Sequence, residues 1–392
     1  MVEFYPLKWP PGDEFTFILF NRLVEQVADG VAIYIWSPVL NPSFFIPNQE
    51  NQYSSYFTEK LESLITPDKL VVLGVKDHLT INDEVVYDTQ MPESAAYLIS
   101  IFKKFSNNQF ILFTSLENLE SYITNENVKI VQWGGDIVQH YLSYKILPSV
   151  NEKNFDSPYT YVSLNRGQRA HRILNVSLLH GLNIQHHGLI SCMFKDGIGG
   201  LPLWNFTNEQ THIKELITNG FNILKNSTLP INDDHHVWNN HDLNGAGVFN
   251  RQLKQHYKNT FVDIITETSY LESAFLLTEK FQHSVYGKNF PIYLCSKGAV
   301  AFLRDMGFDM FDDVVDHSYD NIDDPIDRLY RAITDNLELL TNNQRTKQLW
   351  REREQRFTAN ITFARTGMYD FYTARATKQF NKTLVSLNLT ST

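Results

Sequence analysis

The chain has 392 residues, a length that usually divides into two domains, each with its own buried core. Its composition, with 43% hydrophobic and 20% charged residues, is typical of a folded globular protein and excludes an intrinsically disordered chain. The net charge of −10 argues against a general polyanion-binding surface, because nucleic-acid binders usually carry a basic face.

The amino-terminal residues 1–15 contain no basic segment followed by an apolar core, and no later stretch has the apolar length of a membrane span. We therefore expect a cytoplasmic protein with no membrane span. The two cysteines, Cys192 and Cys295, each lie in an apolar run. Buried reduced thiols are therefore favoured over a disulfide or a cysteine metal site.

Residues 1–150 alternate between helical and extended patterns. Helical periodicity is present at 13–30, 93–105 and 116–123, and short apolar runs occur at 31–36, 70–75, 110–115 and 128–133. Apolar runs separated by helices are typical of buried parallel strands. The pattern predicts a Rossmann-like domain over 1–150.

A polar segment without periodicity, 147–158, is the predicted linker to a second unit of the same kind at 151–335. Strand patterns follow at 159–165, 187–194, 260–268 and 289–295, and helical patterns at 170–181, 211–224 and 299–307. The fold class is therefore α/β, with two doubly wound Rossmann-like domains facing a cleft. Residues 336–392 are predicted to form a helical tail that could cross back onto the first domain.

The tail is basic, with nine basic and three acidic residues over 341–392. A helix with a solvated basic face is the favoured interpretation. The alternative is a tail that docks on the acidic part of the chain or on an anionic acceptor.

Three polar residues open one of the predicted helices of the second domain. Thr278 is a candidate N-cap, and Glu279 and Lys280 fall in the first turn, where free N–H groups and the helix dipole attract anions. Lys280 suits a phosphate, and Glu279 suits the hydroxyls of a ribose or a sugar. A capped helix with Glu in its first turn is the structural alternative.

A second polar cluster follows the strand at 159–165. Arg166, Arg169, His171 and Arg172 lie at the turn into the next helix, where positive charge opposes the helix dipole. This placement indicates an anion at the turn, since guanidinium groups pair well with phosphate. The alternative is a solvated basic helix start.

Residues 266–298 resemble the donor-binding stretch of the alpha-1,3-fucosyltransferases. In that family the stretch contains a Glu-Asn-Ser element, a Tyr-Val-Thr-Glu-Lys run, an apolar helix, and an apolar strand with a turn. The matching residues here are Glu267, Thr268 and Ser269, then Thr278, Glu279 and Lys280, then 289–298. The resemblance is close over this stretch, loose over 159–330, and not found in the first domain.

The resemblance implies a two-domain glycosyltransferase of the GT-B type, in which these residues hold the diphosphate and sugar of a GDP-sugar. It also implies a phosphate-binding arginine after the first strand of the donor domain, best matched by Arg169 or Arg166. Residues 1–150 then form the acceptor side. Thr268 and Leu276 stand where the family has Asn and Tyr, so the sugar and the base of the donor stay open.

An acidic stretch at 309–327 contains eight aspartates, but their spacing matches no EF-hand loop, and a capping loop is favoured. Asp316, His317, Ser318 and Tyr319 could line the donor pocket. The histidine pairs at 186–187 and 235–236 lack metal-ligand spacing and are interpreted as loop histidines. We predict no metal.

The catalytic base is predicted to come from the acceptor side, where it would deprotonate a hydroxyl. Asp136 follows a predicted strand and two glycines, and Asp77 follows the strand at 70–75. Either residue could instead cap a helix.

The leading hypothesis is a metal-independent glycosyltransferase whose only co-substrate is a nucleotide-diphosphate sugar, with no other cofactor. Its acceptor is a glycan, a protein or a hydroxylated base in DNA. The acidic body disfavours nucleic acid, and the basic tail leaves it open. The alternatives are a non-catalytic nucleotide-sugar or glycan-binding module on the same fold, and a sugar-phosphate epimerase or phosphorylase-like enzyme. A nicotinamide enzyme is disfavoured, because no Gly-x-Gly-x-x-Gly follows the first strand.

Overall fold

A computed structural model describes residues 23, 30–36, 65, 69–76, 99, 101–114, 117, 119–121, 123–133, 149–165, 169–192, 206–229, 231, 253–267, 270 and 277–389. The helix predicted at 13–30 lies outside this set apart from residues 23 and 30, and Gly30 is already the first residue of a strand.

The described strands pair in parallel throughout, as the apolar runs predict. They are β1 Gly30–Trp36, β2 Leu70–Lys76, β3 Phe110–Thr114, β4 Val128–Gln132, β5 Tyr161–Asn165, β6 Gly188–Cys192, β7 Val262–Thr266 and β8 Phe290–Leu294.

Most of the helices lie at the periodic segments, but the segment predicted as a helix at 116–123 forms, in its described residues, only a 3-10 turn, Leu119–Ser121, and the short helix Lys254–Lys258 was not predicted. Those with described bounds are α1 Ala170–Gly181, α2 Thr211–Asn226, α3 Lys254–Lys258, α4 Glu279–Gly287, α5 Ala299–Met306, α6 Pro325–Thr334, α7 Leu337–Thr341, α8 Asn343–Glu352 and α9 Glu354–Ser386. Parallel strands with intervening helices confirm the α/β class. The described part of the chain contains no helix that is both long and apolar enough to cross a membrane.

Contacts divide the chain into two compact units. The first comprises Met1–Leu142, Glu272–Leu276 and Met368–Thr392, and the second comprises Ser143–Leu271 and Leu277–Gly367. Helix α9 therefore contributes its first half to the second unit and its second half to the first.

The sheet of the first unit has the order β1-β2-β3-β4, which is the order along the chain. One buried cluster in this unit comprises Leu23, Leu70, Val72, Ile111, Phe113, Val131, Trp133, Ala376, Phe380 and Leu384. Its members from the strands are two residues apart and those from α9 are four apart, the spacings that place side chains on one face of a strand or a helix. The second half of α9 thus packs on one face of this sheet.

The sheet of the second unit has the order β6-β5-β7-β8. The chain moves from β5 to one side and then to the other, so a topological switch point lies between β5 and β7. The reversal that defines a doubly wound sheet thus occurs in the second unit. In the first unit each described strand pairs with the next one in sequence, so no reversal occurs among them, and the doubly wound prediction is not met there.

The first half of α9 packs in the second unit through an aromatic cluster. The Phe357 ring lies 5.0 Å from that of Phe290, 4.4 Å from Phe311 and 5.5 Å from Trp350. Aromatic side chains bury large apolar areas, so this cluster stabilises the helix against the sheet that carries the candidate site.

Candidate functional site

The candidate site lies at the carboxyl edge of the second sheet, at the switch point. The ladder between β5 and β7 pairs Tyr161 with Val262 and continues for one further residue. Closer to the carboxyl ends, the Thr266 hydroxyl donates to Asn165 Oδ1 at 3.1 Å. Ligands of open α/β sheets bind outside the carboxyl ends of the strands at such a point.

The start of α1 brings positive charge to this edge. Its N-cap residue is Arg169, whose carbonyl accepts the N–H groups of Arg172 and Ile173, both at 3.1 Å. An arginine side chain has no acceptor with which to cap the first turn. His171 and Arg172 follow in that turn and are buried. Cations at a helix start oppose the dipole, as the sequence predicted for this turn.

The buried imidazole of His171 is neutral and has a defined tautomer. Its Nε2 lies 2.8 Å from the Glu267 carbonyl oxygen, which can only accept, so Nε2 carries the proton. Burial holds the His171 pKa well below its usual range, and the charges of Arg172, Arg169 and Lys280 lower it further. The Arg172 guanidinium donates to the same Glu267 carbonyl as this neutral imidazole, so the two side chains lie together.

The start of α4 meets the end of β7 through Glu267. The Glu267 carboxylate is fully buried and accepts the Thr278 N–H at 2.9 Å and the Thr278 hydroxyl at 2.7 Å. Lys280 Nζ lies 3.6 Å from the same carboxylate and donates to Thr278 Oγ1 at 2.8 Å. The side chains of Lys280 and Glu279 keep 26% and 23% of their surface exposed. These two residues can therefore meet a ligand.

Tyr293 also contacts Glu267 and was not identified from the sequence. Its hydroxyl donates to Glu267 Oε1 at 3.1 Å. Burial, and then the Glu267 charge, raise the Tyr293 pKa well above its usual range, so the phenol stays protonated. The available signal was a single hydroxyl-bearing side chain in the apolar β8, at the sheet edge where Glu267 lies.

The structure brings together five of the predicted site residues: Arg169, Glu267, Thr278, Glu279 and Lys280. The other five predicted residues lie outside the described part of the chain: Arg166, Thr268, Ser269, Asp77 and Asp136. The described part of the site thus contains two helix starts and their cations.

The aspartates of 309–327 mostly contact arginines or backbone N–H groups. Arg356 pairs with Asp309 at 2.5 Å and with Asp313 at 2.7 Å, and Arg304 pairs with Asp312 at 2.7 Å. Asp320 accepts the N–H groups at the start of α5. The described residues contain no group of three His, Cys, Asp or Glu side chains suited to a metal ion.

A cavity of about 550 Å³ lies in the second unit beside this acidic stretch. Its lining includes Asp316, His317 and Ser318, together with Arg304 of α5. Tyr319 does not line this cavity, and its hydroxyl accepts the Tyr293 backbone N–H at 2.8 Å. Burial lowers the His317 pKa, so its imidazole is neutral at pH 7. The cavity is polar, with Asp312 and Arg304 forming an ion pair in its wall.

Two helix starts, the cations Arg169 and Lys280, and an acceptor group on Glu279 thus meet at the switch point of one sheet. Such an arrangement can bind an anion together with a hydroxyl-bearing group. No protein-family model matches the chain, and no curated protein matches it.

Proposed function

We propose that the chain is a glycosyltransferase that moves a sugar from a nucleotide-diphosphate donor to an acceptor hydroxyl, and that the switch point of the second sheet is its donor site. One observation carries the proposal. Glu267 joins the two helix starts: its carbonyl accepts from His171 Nε2 at 2.8 Å and from Arg172 at 3.3 Å, and its carboxylate accepts from the Thr278 hydroxyl, to which Lys280 donates. The Lys280 ammonium, which lies 3.6 Å from Glu267 and 3.3 Å from Glu279, keeps 26% of its side-chain surface exposed, so an anionic ligand can reach it.

The diphosphate would contact the first turns of α1 and α4. Lys280 would supply a charge-assisted hydrogen bond and Arg169 a planar guanidinium. Arg172 is a supporting residue, since it is buried and donates to the carbonyls of Thr266 and Glu267, both at 3.3 Å. Glu279 repels phosphate and would accept hydrogen bonds from hydroxyls of the ribose or the sugar.

Transfer breaks the bond between the anomeric carbon and the diphosphate oxygen while the acceptor oxygen bonds to that carbon. The negative charge that develops on the leaving diphosphate is stabilised by Arg169, Lys280 and the helix N–H groups. The acceptor proton goes to a base on the acceptor side, for which Asp136 and Asp77 remain the predicted residues. No metal is needed in this scheme.

The finer parts of the proposal rest on the resemblance of 266–298. They are a fucosyltransferase-like donor, a GT-B arrangement of two domains and a cytoplasmic location. The acceptor would be a glycan, a protein or a hydroxylated base in DNA.

The proposal is tested by calorimetric titration of GDP, UDP and their sugar conjugates into the full chain, followed by assay of transfer. We expect Lys280→Ala to weaken binding of the nucleoside diphosphate by roughly 1.5 to 3 kcal/mol, because it removes a charge-assisted contact. Lys214→Ala, on the exposed face of α2, is the matched control and should bind as the wild type does.

Glu279→Gln separates the roles within the same titration. It should spare the free diphosphate and weaken only the sugar nucleotide. Equal affinities of wild type and Lys280→Ala for every donor would contradict the proposed site. Tight donor binding without transfer to any acceptor would instead identify a binding module.

A further inference from the structure

The contacts of Glu267 differ from those of a ligand-binding carboxylate. Its side chain has no exposed surface, and its two oxygens accept from Thr278 and Tyr293 at 2.7 to 3.1 Å. Lys280 Nζ lies 3.6 Å from Glu267 Oε2 and 3.3 Å from Glu279 Oε1. A carboxylate surrounded in this way acts on the protein groups that hold it, since a ligand would have to displace them.

The backbone of Glu267 holds the other helix start. Its carbonyl accepts from His171 Nε2 at 2.8 Å and from an Arg172 guanidinium nitrogen at 3.3 Å. Its N–H donates to the Leu294 carbonyl at 2.9 Å, which continues the ladder between β7 and β8. One residue at the end of β7 is therefore bonded to α1, α4 and β8.

We infer that Glu267 is a positioning residue of this site: it holds Lys280 through the Thr278 cap and fixes His171 through its carbonyl, and it does not bind the sugar itself. The inference rests on the proposed function and changes one expectation, since the resemblance of 266–298 places Glu267 among the donor-binding residues. Lys280 and Glu279 contact the donor, and Glu267 sets the place of Lys280.

Tyr293 helps to hold the Glu267 carboxylate in place. Its hydroxyl reaches Glu267 Oε1 from β8, and its backbone N–H donates to the Tyr319 hydroxyl at 2.8 Å. Replacing it by Phe removes one hydrogen bond to the carboxylate and keeps the charge. Tyr293→Phe is therefore expected to disturb the position of Lys280 slightly, and Glu267→Gln is expected to disturb it strongly.

The first test measures the reactivity of Lys280 without any ligand. The full chain is treated briefly with acetic anhydride, and acetylation of each lysine is followed by mass spectrometry. We expect Glu267→Gln to raise the rate at Lys280 about threefold or more, because loss of the carboxylate charge releases the ammonium. Lys214 serves as the internal control and should be unchanged. An unchanged rate at Lys280 would overturn the positioning role.

The second test is a double-mutant cycle read by titration of inorganic pyrophosphate. If Glu267 acts through Lys280, Glu267→Gln weakens binding by about tenfold, and the double variant with Lys280→Ala binds no worse than Lys280→Ala alone. If the losses of pyrophosphate affinity in the two single variants multiply in the double variant, Glu267 contacts the ligand independently of Lys280, which contradicts the inference. A merely structural role would lower stability without this coupling.

Tyr293→Phe keeps both tests usable if Glu267→Gln does not fold. It should change the Lys280 rate and the pyrophosphate affinity in the same directions, by about twofold each. No change in either would also overturn the inference. If the wild type binds neither pyrophosphate nor a nucleoside diphosphate, the proposed function fails, and the acetylation rates still decide the role of Glu267.

Discussion

Asp263 is the second residue of β7, with only 2% of its surface exposed. Burial raises its pKa from 3.8 to about 7, although the Tyr257 hydroxyl, 3.0 Å from Oδ2, and the charge of Lys153 favour the ionised form. The buried carboxyl therefore holds a proton at pH values where an unfolded chain has lost it. Nothing in the local sequence marks it, since Asp263 stands in an apolar run.

The raised pKa predicts how stability depends on pH. Between pH 3.8 and about 7 the folded state binds the proton more tightly than the unfolded state, so the free energy of unfolding falls as pH rises through this window. Asp263→Asn should remove this slope and stabilise the protein at pH 8 by a few kcal/mol, about 1.4 for each unit of pKa shift. Urea unfolding between pH 4.5 and 8 measures it.

Asp305→Asn, on the exposed face of α5, is the control and should follow the wild type. Burial also raises the pKa of Glu117, in the first unit, to about 7, and this adds a slope of the same sign in every variant. The difference between wild type and Asp263→Asn reports Asp263 together with its coupling to the buried Lys153, whose pKa is lowered by burial. Parallel curves for the two proteins would contradict the prediction.

At the scale of elements, α1 and α2 approach each other closely. A Cβ on Gly220 would lie 1.8 Å from the Ser177 carbonyl oxygen, and one on Gly181 would lie 2.1 Å from that of Leu216. Backbone atoms cannot move aside as side-chain ends can, so both positions need glycine for this packing. The contact holds α1, whose first turn carries the cations of the candidate site.

We expect Gly220→Ala to lower the free energy of unfolding by about 1 to 3 kcal/mol through overpacking, even though alanine favours a helix over glycine. Asn219→Ala, one residue earlier and exposed, is the matched control and should change stability by less than about 0.5 kcal/mol. Urea midpoints of the two variants make the comparison. Equal midpoints would show that the two helices separate at little cost.

At the scale of the whole molecule, the basic tail pairs with the acidic stretch of the same chain. Arg353, which precedes α9, and Arg356, in the first turn of α9, form ion pairs with Asp313, and Arg356 also pairs with Asp309. Further along α9, Arg375 pairs with the buried Glu117 at 2.8 Å. The sequence favoured a solvated basic face for the tail, but these three arginines contact acidic residues of the same chain, as the alternative interpretation predicted.

The proposed transfer is expected to be independent of metal. Donor binding and turnover should persist in excess EDTA, because Arg169 and Lys280 supply the charge stabilisation that a cation would otherwise give. Asp312→Asn and Asp313→Asn should change donor affinity by less than about twofold, since these carboxylates pair with arginines at partly exposed positions. Activity lost in EDTA, restored by Mg²⁺ or Mn²⁺ and matched by losses in both variants, would make the acidic stretch a metal site.

Much of the secondary structure could be predicted from the sequence. The helix predicted at 170–181 has those bounds, and Thr278 caps α4 as its position suggested. Apolar periodicity and N-caps involve residues within about four positions of each other, so they are visible in a single window of sequence. The cations at the start of α1 and Lys280 were found in the same way.

Only the tertiary structure decided which of these local features meet. The strand order β6-β5-β7-β8 placed the switch point beside Arg169, and the pairing of β7 with β8 brought Tyr293 to Glu267. Strand order and burial depend on contacts between residues far apart in sequence, which no local pattern records. The residue types of the site could therefore be predicted from the sequence, whereas the burial of the Glu267 carboxylate and the neutral state of His171 result from tertiary packing.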